Sequence, residues 1–179
     1  RNSLLYTGCN VMINLFVSVT AGYVFARGDF PFKKTIFMCF TALMFIKTGG
    51  IDIYPTFQIL NALHVRQSLW SLVLVNMFSI PIVNIYLVRS YISTLPHEIA
   101  EAAKIDGCGF SGILFKVYAP LLKPIMATIV ILSFQGSWNE YLKPTFFTLT
   151  RPEQRTLIVG LMALKNSGAS ATSWDLMLA

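Results

Sequence analysis

Three long runs without a charged residue constrain the fold of this chain more than any other feature. They extend from Ser3 to Ala26, from Gln67 to Val88 and from Pro124 to Asn139. A helix needs roughly 20 apolar residues to cross the hydrocarbon core of a bilayer. Only 12% of the 179 residues are charged, whereas an ordinary soluble domain carries about 25%. The sequence therefore predicts an all-α, polytopic bundle of membrane-spanning helices.

A fourth apolar run, residues 35–46, is short for a membrane span, but lysines flank it on both sides. Lysine side chains can reach from a short helix to the two interfaces. A buried soluble helix would fit a lone run of this length better, and the neighbouring runs favour a span. We therefore predict one membrane domain over residues 1–179, with spans at about residues 4–26, 33–48, 67–89 and 119–141.

The distribution of basic residues does not orient these spans. The 14 Lys and Arg residues divide equally between the two sides of the alternating topology, so the excess that marks the cytoplasmic side is missing. These residues are spread through the loops rather than gathered in one stripe, which argues against nucleic-acid binding.

No catalytic, metal or cofactor site is predicted from the composition. The three cysteines, Cys9, Cys39 and Cys108, have no paired spacing, so neither a disulfide framework nor a metal site is indicated. His64 and His97 each stand without a second ligand at metal spacing. Inside the Gln67–Val88 run, Pro81 lacks a backbone N–H and predicts a kink.

The polar connection from Ser93 to Pro124 has the pattern of two short amphipathic helices. Ser93 and Thr94 are good helix caps, and Pro96 suits a first helical turn. Gly107 is expected to end the first helix. The prolines at its far end predict that the second helix bends as it enters the last span.

This connection also carries a spaced motif, which reads Glu101-Ala102-Ala103, three residues, Gly107, nine residues and Val117-Tyr118-Ala119-Pro120. It resembles the EAA motif of the inner-membrane permeases of binding-protein-dependent ABC importers, with Val and Ala in place of Ile and Leu. Five fixed identities at this spacing arise by chance about once per million start positions. Weaker matches at Tyr23–Arg27 and Trp138–Pro144 resemble the carbohydrate-importing, maltose-type branch.

The resemblance implies that residues 93–120, the 93–120 loop, form a cytoplasmic helix-turn-helix that docks a separate ATP-binding subunit. The implied docking residues are Glu98, Glu101, Ala102, Ala103, Asp106, Gly107, Phe110, Val117 and Pro120. The alanines would permit close approach, the glutamates would pair with basic partner residues, and the phenylalanine would anchor the contact.

The same resemblance implies the wider assembly. A second permease subunit and an extracytoplasmic solute-binding protein are the expected partners, in the bacterial cytoplasmic (inner) membrane. ATP would be bound by the partner ATPase, so this multi-pass chain would hold no cofactor and would not be an enzyme. Full subunits of that branch have six spans, and we expect this chain to be a fragment that lacks the first and the last.

Solute-pathway residues are predicted less sharply. Asn76, Asn84, Trp138 and Asn139 are candidates to line a pathway for a sugar or oligosaccharide. Hydrogen bonding between helices is the alternative for the first two, and a tryptophan belt at the interface with a polar helix end is the alternative for the last two. A candidate contact with the binding protein is Lys165, Asn166, Ser167 and Gly168, for which an ordinary flexible loop is equally suitable.

Three other functions compete with this prediction. An amino-acid, peptide or anion importer remains open, because the motif reports the ATPase and not the cargo. A secondary transporter would place ionisable groups inside its spans, and the runs contain none. A membrane enzyme would need nucleophile, base or metal ligands at membrane depth, and no such set is present.

Overall fold

The computed structural model describes residues 1–45, 50, 52–62, 64–65, 68–149 and 151–166, and all regular elements within these ranges are helical. The all-α prediction is confirmed. The α-helices are α1 Asn2–Arg27, α2 Lys33–Leu43, α3 Ile53–Ala62, α4 Leu69–Met77, α5 Ile82–Thr94, α6 Glu98–Ile105, α7 Phe110–Gly112, α8 Ala119–Leu121, α9 Lys123–Trp138, α10 Leu142–Phe147 and α11 Leu157–Asn166. A π-helix, Ile113–Tyr118, joins α7 to α8, and Pro152–Gln154 is a 3-10 turn.

The kink predicted at Pro81, inside the Gln67–Val88 run, is present as a break between two helices. Helix α4 ends at Met77, α5 begins at Ile82, and Pro81 immediately precedes α5. Because proline has no N–H to give to the helical ladder, the break falls where the sequence places it.

The bend predicted before the last span is also confirmed, and it is close to a right angle. Together α7, the π-helix and α8 form the second helix of the 93–120 loop, Phe110–Leu121, which meets α9 at 81°. Leu122 lies at this corner with its side chain fully buried. Pro120 lies near the end of this continuous helix, and the bend falls after it, at Leu122, directly before α9, which has Pro124 in its first turn.

Within the described part of the chain, α1 alone is long and apolar enough to cross a hydrocarbon core, and up to three spans result if each bent pair is one span. Helix α2 has 11 residues, which at about 1.5 Å each give a helix of roughly 16 Å, well short of the apolar core. The span predicted at residues 33–48 is not among these candidates, and its last three residues lie outside the described ranges.

The described residues pack as two compact units. The first combines Arg1–Val11, Thr48–Ser79 and Ser133–Ala179, and the second combines Met12–Lys47 and Ile80–Leu132. The hydrophobic core cluster of the first unit comprises Tyr6, Leu60, Leu69, Leu72 and Phe147. That of the second comprises Val19, Tyr23, Val88, Ile92, Ala103, Ile113, Leu114, Tyr118, Leu122 and Ile129. A single domain over residues 1–179 stays a prediction.

Helices α1 and α5 approach closely in the second unit because a glycine lies at their contact. A Cβ atom built on Gly22 would lie 2.6 Å from Cβ of Val88 and 3.3 Å from the backbone nitrogen of Arg89. Small residues are the usual means by which membrane helices bring their backbones together. Only glycine fits at this crossing.

The predicted helix caps at Ser93 and Thr94 are wrong. Both residues belong to α5, and their hydroxyls donate to carbonyl oxygens of α5 itself. Helix α5 continues until Leu95, whose backbone is extended with ψ of 140°. The residue before a proline is driven away from helical geometry, so Pro96 sets the break, and α6 begins after His97.

Candidate functional site

Helix α6 presents an acidic face and buries the opposite face. Glu98, Glu101 and Asp106 are exposed, whereas Ala103 is buried among the apolar side chains of the second unit. Among the described residues, no basic group lies within ion-pair distance of these three carboxylates. The two glutamates lie in the first turn, where negative charge favours the helix dipole. The three carboxylates are therefore exposed and form no ion pair within the described chain, and Lys104 is the exposed basic residue of the same helix.

The two alanines of the motif have different surroundings. Ala102 is exposed, but Ala103 is 7% exposed and packs against the core of its own unit. The expectation that both alanines would meet a partner therefore needs correction for Ala103. Helical geometry turns adjacent residues about 100° apart, so one alanine serves the core and the other faces outwards.

The turn between the two loop helices depends on Gly107. Its φ is +77°, in the left-handed region that suits glycine. The space beside its Cα is empty, with no atom within 4 Å of where a Cβ would lie. Its amide donates to the carbonyl of Lys104, and the Cys108 amide donates to that of Ala103. The predicted stop at Gly107 is confirmed.

The second loop helix is tied to the core along its length. Phe110 is 48% exposed, with its ring centroid 4.6 Å from that of Tyr23. Val117 is half-buried against the core, and Pro120 is exposed. Part of Phe110 is thus used internally, and its other part is available to a partner.

Sequence reasoning missed Arg27 as a site residue. Its Nη2 donates to the carbonyl oxygens of Leu95 at 2.7 Å and Ile92 at 3.2 Å, and Nη1 lies 2.7 Å from both imidazole nitrogens of His97. The Leu95 carbonyl at the end of α5 has no donor within that helix, so Arg27 supplies one, whereas the Ile92 carbonyl also accepts from the Leu95 backbone N–H. In the sequence, Arg27 is a basic residue directly after an apolar run. A lysine or arginine that only anchors a span at the membrane interface has the same pattern, so the sequence did not mark Arg27 as a site residue.

Tyr23, one helical turn before Arg27, was also missed. Its hydroxyl donates to the carbonyl oxygen of Phe110 at 3.2 Å, and its ring lies 5.3 Å from that of Tyr118. Nothing in the sequence connects residue 23 with residue 110. The end of α1 therefore contacts both the start of α6 and the start of the second loop helix.

The first unit contains a buried polar cluster that includes one predicted pathway residue. Asn76 donates to the hydroxyl of Tyr6 and to Oδ1 of Asn10, both at 3.2 Å, and Tyr6 donates to Oε2 of Glu140 at 2.6 Å. Tyr6 and Asn10 are buried. For Asn76, the alternative of helix-to-helix hydrogen bonding is confirmed. Asn84 is half-buried on α5.

The other predicted pathway residues lie at the end of α9. Trp138 stacks on Phe134 with ring centroids 5.4 Å apart. Asn139 is exposed and lines a cavity of about 500 Å³. The same cavity is lined by Asp52 and Lys143, whose charged groups pair at 2.9 Å.

The predicted binding-protein contact is only partly described. Lys165 is exposed near the end of α11, and Asn166 is the last residue of that helix. Ser167 and Gly168 lie outside the described residues. No group of three or more His, Cys, Asp or Glu side chains suited to a metal ion occurs in the ranges that the structure covers.

Comparison with known proteins gives a family match and curated relatives. Residues 11–174 match the family described as binding-protein-dependent transport system inner membrane component. The chain is 32% identical over 180 residues to the probable ABC transporter permease protein YurM of Bacillus subtilis, covering 99% of this chain and 58% of the relative. It is also 32% identical over 163 residues to the arabinooligosaccharides transport system permease protein AraQ of the same organism, covering 91% of this chain and 57% of the relative.

A solved structure has the same fold. It is the crystal structure of a bacterial ABC transporter involved in the import of the acidic polysaccharide alginate, and one of its chains superposes with a TM-score of 0.75 at 27% sequence identity. The match covers 92% of this chain and 55% of that chain. The chain thus spans somewhat more than half the length of these similar proteins.

Proposed function

Because this chain belongs to the family of binding-protein-dependent transport system inner membrane components, we propose that it is part of the permease subunit of an ABC importer and couples to a separate ATPase through its 93–120 loop. It is a membrane protein and a transport component rather than an enzyme. The observation that carries the docking proposal is the exposed acidic face of α6, which has no basic partner within the described chain.

The geometry of the loop suits a docking element. The first loop helix offers Glu98, Glu101 and Ala102 outwards while Ala103 fixes it to the second unit. Charge complementarity across an interface directs association and selects partners. We expect the ATPase to present a basic groove to this face, with the exposed part of Phe110 as an apolar contact.

The proposed mechanism is mechanical. ATP binding closes the paired ATPase subunits, the docked loop moves with them, and the attached spans change between inward-open and outward-open arrangements. ATP is held by the partner ATPase, and this chain needs no cofactor of its own. A second permease subunit completes the pathway, and an extracytoplasmic binding protein delivers the solute, in a multi-pass assembly of the bacterial cytoplasmic membrane.

The proposed solute is a sugar or oligosaccharide. The names of AraQ and of the alginate transporter support this class. The test is uptake by cells that carry the complete gene cluster, with and without the permease gene, from a panel of labelled neutral oligosaccharides, glycerol phosphate, amino acids and peptides. Permease-dependent uptake of oligosaccharide alone is expected, and uptake confined to another class contradicts the sugar assignment.

Docking is tested by charge reversal in the full-length permease, co-expressed with its partner permease and ATPase. Glu101→Lys should lower the amount of co-purified ATPase by about tenfold or more, because like charges opposed in an interface cost several kcal/mol. Glu153→Lys is the matched control, since Glu153 is an exposed glutamate outside the loop. Membrane insertion should be unchanged in both. Wild-type recovery of ATPase with Glu101→Lys would contradict the proposed docking.

A further inference from the structure

We infer that Tyr23 and Arg27, on the last two turns of α1, are the positioning residues through which movement of the 93–120 loop reaches α1. The inference rests on the proposed coupling to an ATPase and extends it, because neither residue belongs to the motif that marks the docking loop. All of these residues belong to the second unit.

Arg27 joins α1 to the chain segment that leads into the loop. Its Nη2 donates to the carbonyls of Ile92 and Leu95, and its Nη1 contacts His97, the residue immediately before α6. A guanidinium group is planar, permanently charged and rigid, so it holds several acceptors in a fixed arrangement. The end of α5, the start of α6 and the end of α1 therefore share one side chain.

Tyr23 joins α1 to the second loop helix. Its hydroxyl donates to the carbonyl of Phe110, the first residue of that helix. The rings of Tyr23, Phe110 and Tyr118 form one packed group, with centroid separations of 4.6 Å and 5.3 Å from the Tyr23 ring. The guanidinium carbon of Arg27 lies 5.7 Å from the ring centroid of Tyr118, which links the two connections.

The spacing of the two residues makes the connection stiff. Residues four apart lie on one face of a helix, so Tyr23 and Arg27 hold the two loop helices from the same side of α1. Val19, a further turn back, belongs to the same buried cluster as Ala103, Ile113 and Leu114 of the loop. A displacement of either loop helix therefore acts on α1 through direct polar and apolar contact.

The Tyr23 hydroxyl gives the sharpest test, because a matched control lies beside it. Tyr23→Phe removes the hydrogen bond to Phe110 and keeps the packed rings. Tyr118→Phe removes a buried hydroxyl from the same cluster that has no hydrogen-bond partner among the described residues. Both variants delete one oxygen atom from a buried tyrosine.

The variants are made in the full-length permease, assembled with its partner subunits and reconstituted in vesicles with the binding protein. For Tyr23→Phe we expect wild-type co-purification of the ATPase and a fall of at least about threefold in solute transported per ATP hydrolysed. Tyr118→Phe should keep the wild-type ratio. Equal ratios for the two variants would overturn the inference.

Arg27→Lys supplies a second measurement. Lysine keeps the positive charge but lacks the planar fork that reaches both the helix-end carbonyls and His97, so transport per ATP should again fall while docking is kept. A residue with a merely structural role would lower thermal stability and leave this ratio unchanged. If the wild-type permease fails to co-purify with an ATPase, the proposed function fails; if it co-purifies and either Tyr23→Phe or Arg27→Lys transports normally per ATP, only this inference fails.

Discussion

At the scale of single residues, the positions that the sequence revealed are those with an unusual backbone requirement. Gly107 was predicted as a helix stop, and its φ of +77° explains why glycine stands there. Arg27 and Tyr23 were not predicted, because their partners lie about 70 and 87 residues away. A single sequence records which residue is present and not which distant carbonyl it will meet.

Gly107→Ala should destabilise the loop without any steric clash. No atom lies within 4 Å of the added methyl group, so the cost is the left-handed backbone alone, about 1–2 kcal/mol. Gly109→Ala is the matched control, since Gly109 has an equally open side and a φ of −69°. Thermal unfolding in detergent should show a loss for the first variant and little change for the second; equal stability of the two would contradict the conformational explanation.

Tyr6→Phe should destabilise the first unit. The Tyr6 hydroxyl is buried, donates to Glu140 and accepts from Asn76, so its removal leaves two polar groups short of a partner at a cost of about 1–3 kcal/mol. Tyr86→Phe is the control, because that ring is 42% exposed and its hydroxyl has no hydrogen bond among the described residues. Comparable melting temperatures for the two variants would show that the buried cluster contributes little.

At the scale of helices, breaks caused by proline were predictable and helix ends without a strong signal were not. Pro81 and the bend before α9 were found from the sequence, since proline acts locally. The end of α5 was placed too early, because Ser93 and Thr94 are as suitable for closing hydrogen bonds within a helix as for capping the next one. A short span was predicted at residues 33–48 from the flanking lysines, and the helix found there, α2, has 11 residues.

Gly22→Ala should force α1 and α5 apart. The added Cβ would lie 2.6 Å from Val88 Cβ and close to backbone, so one helix must shift, which costs roughly 1–3 kcal/mol for overpacking. Gly8→Ala on the same helix is the control, since nothing lies within 4 Å of its built Cβ. The measurement is thermal unfolding of the purified subunit, and a stable Gly22→Ala variant would contradict the close approach.

At the scale of the whole molecule, composition sufficed to predict an all-α membrane protein, because apolar length is a property of the chain itself. Orientation did not follow from charge, since the Lys and Arg residues divide equally. The orientation is predicted only from the resemblance of the loop motif, and it stays a prediction. The packing of the described residues into two units had no sequence signal, because long-range contacts decide it.

The predicted orientation gives a labelling experiment on intact cells. In a full-length, cysteine-free permease, Glu101→Cys should react with membrane-impermeant maleimide only after permeabilisation, because the 93–120 loop is expected in the cytoplasm. Glu153→Cys, in the segment expected on the opposite side, should react in intact cells. Both native side chains are exposed, so accessibility does not bias the comparison. Reaction of Glu101→Cys from outside would reverse the topology and exclude contact with a cytoplasmic ATPase.

The second loop helix and α9 meet at 81° at Leu122 and form one bent pair of helices. Since the Leu122 side chain is fully buried, the two helices are held at this angle. A displacement of the second loop helix along its own axis then moves α9 sideways. A displacement of that helix at right angles to its axis moves α9 along its own length. In the proposed importer, the direction in which the ATPase displaces the loop would therefore decide whether α9 moves sideways or along its own axis.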